Sequence, residues 1–137
     1  MTGAVDGIRV IDFGQYIAGP LAAVMLADQG ADVVHVDPPT GPRWKSDADA
    51  FLQRGKRRIA LDLKTPAGQE TARRLIDSAD VVIENFRPGV MDRLGRGVGD
   101  LPLTRVMTAR NMLHLDTHRF QRSVSVIGDG REVSEKV

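Results

Sequence analysis

Cysteine is absent from this chain, which excludes a disulfide scaffold, thiolate metal ligands and thiol catalysis, and fits a cytoplasmic setting. A large excess of charge of either sign is absent too. The formal net charge is +1, so bulk electrostatics directs the chain to neither nucleic acid nor an acidic partner. No apolar run approaches the length of a membrane span. The opening Met1-Thr2-Gly3-Ala4-Val5-Asp6 lacks a basic segment followed by an apolar stretch, so no signal peptide is expected. What is present is ordinary for a globular protein: 137 residues, 42% hydrophobic and 27% charged, enough for one domain with a modest core.

Apolar, β-branched runs alternate with helical patterns. Ile8-Arg9-Val10-Ile11-Asp12-Phe13 reads as a strand, followed by a loop over 14–19 and a helix that Pro20 opens and Gly30 closes, with Leu21, Met25 and Leu26 on one face. Asp32-Val33-Val34-His35-Val36 is a second strand. Residues 38–55 form a long polar connection, and 58–63 a third strand with Ile59, Leu61 and Leu63 on one face. Thr65-Pro66 caps and starts a helix whose buried stripe is Ala72, Leu75 and Ile76. Residues 80–83 are a fourth strand, and 88–94 a short helix closed by Gly95.

That order predicts an α/β fold: a Rossmann-like, open, mostly parallel sheet with helices on both faces. Such sheets bind ligands beyond the carboxyl ends of their strands. The candidate rim is therefore 14–19, 37–39 and 85–89. After Gly95 the periodicity weakens, which divides the chain into 1–95 and 96–137. The second part reads as a helix over 103–113 and one hairpin arm over 123–127, or as partly disordered.

Several candidate groups lie on or near the rim. Glu84-Asn85-Phe86-Arg87-Pro88-Gly89 brings an amide, a ring, a cation and a rigid turn to a strand end. Gly14-Gln15-Tyr16-Ile17-Ala18-Gly19-Pro20 joins a strand to a helix start. It has neither the Rossmann glycine spacing nor a phosphate-loop ending, and a tight turn packing helix on sheet is the equal alternative. Asp37 stands where dinucleotide folds place an acid, or it is a solvated strand end. Arg54-Gly55-Lys56-Arg57-Arg58 either grips phosphates, with Lys56 and Arg57 foremost, or is a solvated cluster that strand alternation splits. Trp44 either stacks on a ring or pins its loop. His35 reads as a core or surface histidine. His114 and His118, with Asp116 between them, lack a third metal ligand, so no metal is assigned.

Taken together, five stretches resemble the N-terminal part of the family III CoA-transferases, a superfamily that includes formyl-CoA transferase, carnitine-related CoA-transferases and α-methylacyl-CoA racemase. They are Asp6-Gly7-Ile8-Arg9-Val10-Ile11-Asp12-Phe13, Ala18-Gly19-Pro20, Leu26-Ala27-Asp28-Gln29-Gly30-Ala31-Asp32-Val33-Val34, Gly55-Lys56-Arg57-Arg58-Ile59-Ala60-Leu61-Asp62-Leu63-Lys64, and the run 84–89. The resemblance covers about residues 5–95 and implies a half that binds coenzyme A, truncated relative to the family. It implies that Gln15, Tyr16, Ile17 and Ala18 lie against the pantetheine and thioester end. It also implies that Leu61, Asn85, Phe86 and Arg93 contact CoA. Relatives often carry an arginine after the second strand, where this chain has Pro38.

The resemblance further implies a soluble acyl-CoA enzyme without a metal, acting on neither nucleic acid nor membrane, and homo-oligomeric through interlocked dimers. The family reaction is transfer of CoA between carboxylic acids through an aspartyl mixed anhydride, or racemisation beside an acyl-CoA thioester by a His and Asp pair. None of Asp100, Asp116, Asp129, His114 or His118 matches those catalytic positions, so no catalytic residue is assigned. Two further readings stay open: a dinucleotide-binding module using Asp37, and a non-catalytic remnant serving as an interaction unit.

Overall fold

Five parallel strands form one sheet in the order β3-β2-β1-β4-β5, as seen in a computed structural model that describes residues 2–87, 89–93 and 105–108. The strands are β1 (Arg9–Asp12), β2 (Asp32–Asp37), β3 (Arg57–Ala60), β4 (Val81–Glu84) and β5 (Arg105–Thr108). The helices are α1 (Ala18–Asp28), α2 (Asp47–Leu52), α3 (Pro66–Asp77) and α4 (Val90–Arg93). The α/β expectation holds, with an all-parallel sheet.

The inner residues of β1, β2 and β4 are mostly apolar because both faces of the sheet are covered there. Alternation sends Ile11, Val34 and Val82 to one face, where they pack with Phe13, Val36 and the α3 residues Ala72 and Ile76. It sends Val10, Val33 and Ile83 to the other, where they meet Ala23 of α1 and Ala31. The central strands β1 and β4 are paired through Val10↔Val81, Ile11↔Val82 and Asp12↔Ile83.

Helix α1 only partly buries the face its pattern suggested: Leu26 packs against the core, but Leu21 and Met25 do not. Gly19, Pro20, Ala23 and Val24 face the sheet, while Leu21 and Met25 are largely exposed. Small side chains such as Ala23 let this helix axis come close to the strands, and Leu21 and Met25 are left on the outer side. Pro20 sits in the first turn, where its missing N–H would have no partner inside the helix.

Three further expectations are corrected by the backbone. The connection over 38–55 contains α2, whose first turn carries Asp47 and Asp49, favourable at a helix N-terminus. The third strand ends at Ala60, although Ile59, Leu61 and Leu63 still pack against the α3-side core. Within the helix expected over 103–113, Arg105–Thr108 is a strand that pairs Val106 with Val82 and Met107 with Ile83. The edge of β4 offers unpaired backbone groups, and pairing them overrides a weak helical period. Pro88, Leu94, Gly95, the arm over 123–127 and the His114, Asp116 and His118 group lie outside the described residues.

Helix α3 starts as its sequence dictates: the Thr65 hydroxyl accepts a hydrogen bond from the Gly68 amide at 3.1 Å, and Pro66 follows it. Thr65→Ala should therefore lower stability by about 1 kcal/mol. The urea midpoint should fall while the slope of the transition stays unchanged.

Candidate functional site

Strand order locates the site. After β1 the chain winds outward through β2 and β3, then returns to place β4 on the other side of β1. The segments leaving β1 and β4 thus diverge at a topological switch point, where open α/β sheets form their ligand crevice. Those two segments are 13–18 and 85–89.

Asn85 bridges them. The Gln15 amide donates to Asn85 Oδ1 at 2.7 Å, and Asn85 Nδ2 donates to the Gln15 carbonyl at 2.7 Å. This two-point clamp holds the loop after β1 against the end of β4. Beyond it, Tyr16 adopts φ 64°, the one positive φ outside glycine among the described residues. A tyrosine there is strained, and such strain persists only where surrounding contacts enforce it. Gly14 and Gly19 close the loop from below. A Cβ on either would lie 2.7 or 2.6 Å from the Cα of the other, so only glycine permits the crossing. Tyr16, Ile17 and Ala18 are left exposed at the rim.

Beneath the loop lies a buried ionic network centred on Asp12, the last residue of β1. Its Oδ1 accepts from the Gly14 amide at 2.8 Å. Its Oδ2 lies 2.8 Å from His35 Nδ1 and accepts from Lys56 Nζ at 3.0 Å. Lys56 Nζ also donates to the Pro20 carbonyl at 2.8 Å. The Asp12 and Lys56 side chains are wholly inaccessible to solvent. Burial pushes the Lys56 pKa below its ordinary 10.5, with the Asp12 charge and hydrogen bond pulling it partly back.

Farther along, Arg58 Nε donates to Asp37 Oδ2 at 2.8 Å, and that hydrogen bond raises the guanidinium pKa against the opposing effect of burial. Asp37 is therefore buried and paired, not a solvated strand end. Its pairing with Arg58 also disfavours the ribose role of a dinucleotide fold.

The residues anticipated from sequence are divided by this geometry. Gln15, Tyr16, Ile17, Ala18 and Asn85 come together at the switch point. Phe86 is half-buried against the α3-side core, its amide bonded to Glu84 Oε2 at 2.8 Å. Arg93 is exposed at the end of α4. Leu61 is half-buried and its amide donates to the Asp37 carbonyl at 2.9 Å. Lys56 lies beneath the rim loop, enclosed with Asp12, whereas Arg57 is directed away from it and reaches Asp32, at the opposite end of β2, at 2.6 Å.

Asp12, His35 and Gln53 were not anticipated as parts of the site. Asp12 and His35 share a register, Asp12↔His35, and two polar residues paired inside otherwise apolar strands are the signal that could have found them. A cleft lies beside the network, lined by Gln15, Tyr16, His35, Asp37, Trp44 and Gln53 among others.

Removing one partner of a buried pair leaves an uncompensated charge. Lys56→Met should cost about 3–5 kcal/mol. Adding Asp12→Asn should recover part of that loss, a non-additivity readable in a double-mutant cycle of denaturation curves. A folded Lys56 pKa below the unfolded value means that the unfolded chain binds the proton more tightly. The stability linked to this titration is present above 10.5 and lost as pH falls through the folded value. An alkaline stability rise in the parent that is missing in Lys56→Met would register it.

Comparison with known proteins agrees with this picture. The chain is 61% identical over 89 residues to the CoA-transferase/lyase DddD of Marinomonas sp. (strain MWYL1), covering 65% of this chain and 11% of that protein. It is 44% identical over 109 residues to the probable fatty acyl-CoA transferase Rv3272 of Mycobacterium tuberculosis, covering 71% and 28%. Among solved structures, that of Rv3272 superposes with a TM-score of 0.67 at 43% identity, over 72% of this chain and 29% of the other. A CAIB/BAIF family protein from Brucella suis gives 0.62 at 37% identity, over 69% and 29%. The chain thus spans less than a third of the length of these relatives. The model of CoA-transferase family III matches residues 5–109, past the boundary expected at 95, and the chain belongs to that family.

Proposed function

We propose that residues 5–93 form the coenzyme A-binding half of a family III acyl-CoA transferase site, the reaction being transfer of CoA between carboxylic acids. Racemisation beside an acyl-CoA thioester is the variant chemistry. The observation that carries the proposal is the strained loop at the switch point, with Tyr16 at φ 64° held by the Asn85 clamp on Gln15. Strain of this kind is retained where function requires a backbone shape.

In this reading Tyr16, Ile17 and Ala18 supply the surface for the pantetheine and thioester end. Asn85 acts by fixing the loop, since both ends of its amide are engaged with Gln15. Phe86 borders the arm. Phosphate charge is met by the exposed Arg93 and Arg87, because Lys56 and Arg57 are committed to Asp12 and Asp32. The names of several relatives specify CoA transfer to or from acyl groups, which supports the same substrate class.

Isothermal titration of the full chain with coenzyme A should give saturable binding. Asn85→Ala should weaken it about tenfold, through loss of two hydrogen bonds that shape the loop, while the thermal transition remains cooperative. A folded sample giving no saturable heat would overturn the proposal.

A further inference from the structure

His35 has a carboxylate at each end of its ring. Nδ1 lies 2.8 Å from Asp12 Oδ2, and Nε2 lies 3.4 Å from Asp37 Oδ1. All three side chains are buried, His35 at 3% exposure and Asp12 at 0%. Asp37 Oδ1 is closed to solvent and accepts no hydrogen bond. Each carboxylate also faces a cation, Asp12 with Lys56 at 3.0 Å and Asp37 with Arg58 at 2.8 Å.

A neutral imidazole has one N–H and one lone pair. With the proton on Nδ1, the Nε2 lone pair faces Asp37 Oδ1. With the proton on Nε2, the Nδ1 lone pair meets Asp12 Oδ2 at hydrogen-bond distance. Either tautomer therefore sets a lone pair against a buried carboxylate, where water does not screen the repulsion. A proton placed on Asp37 instead would weaken its pairing with Arg58. The imidazolium donates at both ends, and a small shift of the ring closes the 3.4 Å gap. Charge points the same way. Asp12 faces the ring from β1, Asp37 from β2, and Asp49 of α2 lies 3.6 Å from Arg58. The buried cations among them are Lys56, before β3, and Arg58, on β3. Three carboxylates thus meet two cations, and a charged His35 makes them even. Tyr16 and Arg43 border the adjoining cleft, both exposed to solvent.

We propose that His35 is a positioning residue: as an imidazolium it straps the Asp12 anchor of the rim loop to Asp37 at the end of β2, and alkali releases the strap. It acts through Asp12, whose other oxygen holds the Gly14 amide at the start of the loop that carries Tyr16. Loss of the proton turns an acceptor toward one carboxylate, and the loop loses part of its footing. The strap is independent of any ligand. Only its effect on coenzyme A rests on the function proposed above.

NMR of the histidine ring nitrogens in the full chain tests the charge directly. The chain has three histidines, and the His35 signals are those missing from His35→Lys or His35→Gln. Near neutral pH both His35 nitrogens should carry protons. As pH rises, one proton should be lost, and the Tyr16 backbone amide resonance should move in the same step. His35→Lys keeps a cation at this position and should lack that step. Lys56 shares Asp12 Oδ2 and gives up its proton more readily than an exposed lysine, because it is buried. It is unchanged in His35→Lys, so a step common to both proteins belongs to Lys56.

Coenzyme A titrations give the second readout. Affinity should fall about threefold to tenfold across the His35 step in the parent, and by a similar factor in His35→Gln at neutral pH, with His35→Lys restoring it. If coenzyme A binds neither parent nor variant, the function proposed above falls, and the ring nitrogens and the Tyr16 resonance still judge the strap. A neutral His35 ring at neutral pH, a Tyr16 resonance indifferent to the step, or coenzyme A affinity unchanged through it would overturn the inference.

Discussion

The fully buried carboxylate of Asp12 is the constraint on which the site depends. It ends the central strand, and each of its contacts fixes a different piece of chain. The Gly14 amide sets the exit from β1, His35 joins β2, and Lys56 joins the entrance to β3. Through its bond to the Pro20 carbonyl, Lys56 also holds the first turn of α1. A buried ion pair is not in itself a source of stability, because desolvation offsets much of the attraction. Its value here is geometric. Loop 14–19 is tied at both ends to one anchored group, so Tyr16 between them can be kept in a conformation it would otherwise leave. The Asn85 clamp then fixes the loop laterally against β4.

Strand order does the rest. Because β1 and β4 are neighbours whose connections depart in opposite directions, the crevice forms between segments 70 residues apart in sequence, Gln15 and Asn85. The small residues on the inner side of α1 have a matching role. Gly19 can cross Gly14 only because neither has a Cβ. The helix start therefore reaches the strand end closely enough to make a tight rim in place of an open phosphate loop.

Much of this fold was legible in the sequence. The β-branched runs of β1, β2 and β4 and the Thr65-Pro66 start of α3 are local signals that tertiary structure did not override. Helix α2 was missed because at six residues it is too short to show a helical period, although Ser46 and the acids after it mark a helix start. On α1, Leu26 packs inward as expected, but Leu21 and Met25 lie outside, because close approach to the sheet selects small residues such as Ala23. Strand β5 depends on a partner, β4, that local periodicity cannot represent. The sequence places the loop residues and Asn85 at strand ends, but the role of Asn85 as a clamp on backbone could not be read from it. That role follows from the distance between two strand ends, which only the strand order determines.

The cationic run shows the same limit of linear reading most clearly. In sequence, Arg54, Lys56, Arg57 and Arg58 form one dense patch suited to phosphate. In the fold each meets a different carboxylate: Arg54 meets Asp28, Lys56 meets Asp12, Arg57 meets Asp32, and Arg58 meets Asp37. Alternation along β3 and the turn before it separate neighbours in sequence onto different sides of the sheet. The run is therefore a set of fasteners joining β3 to β1, β2 and α1, and its charge is largely neutralised where it stands. An anionic ligand at the rim must draw its cations from elsewhere. Among the described residues, Arg87, just past the carboxyl end of β4, and Arg43, which lines the cleft with Gln15 and Tyr16, are exposed cations. The Asn85-Phe86-Arg87 segment thus holds the loop after β1 in shape through Asn85 and leaves an exposed cation just past the end of β4.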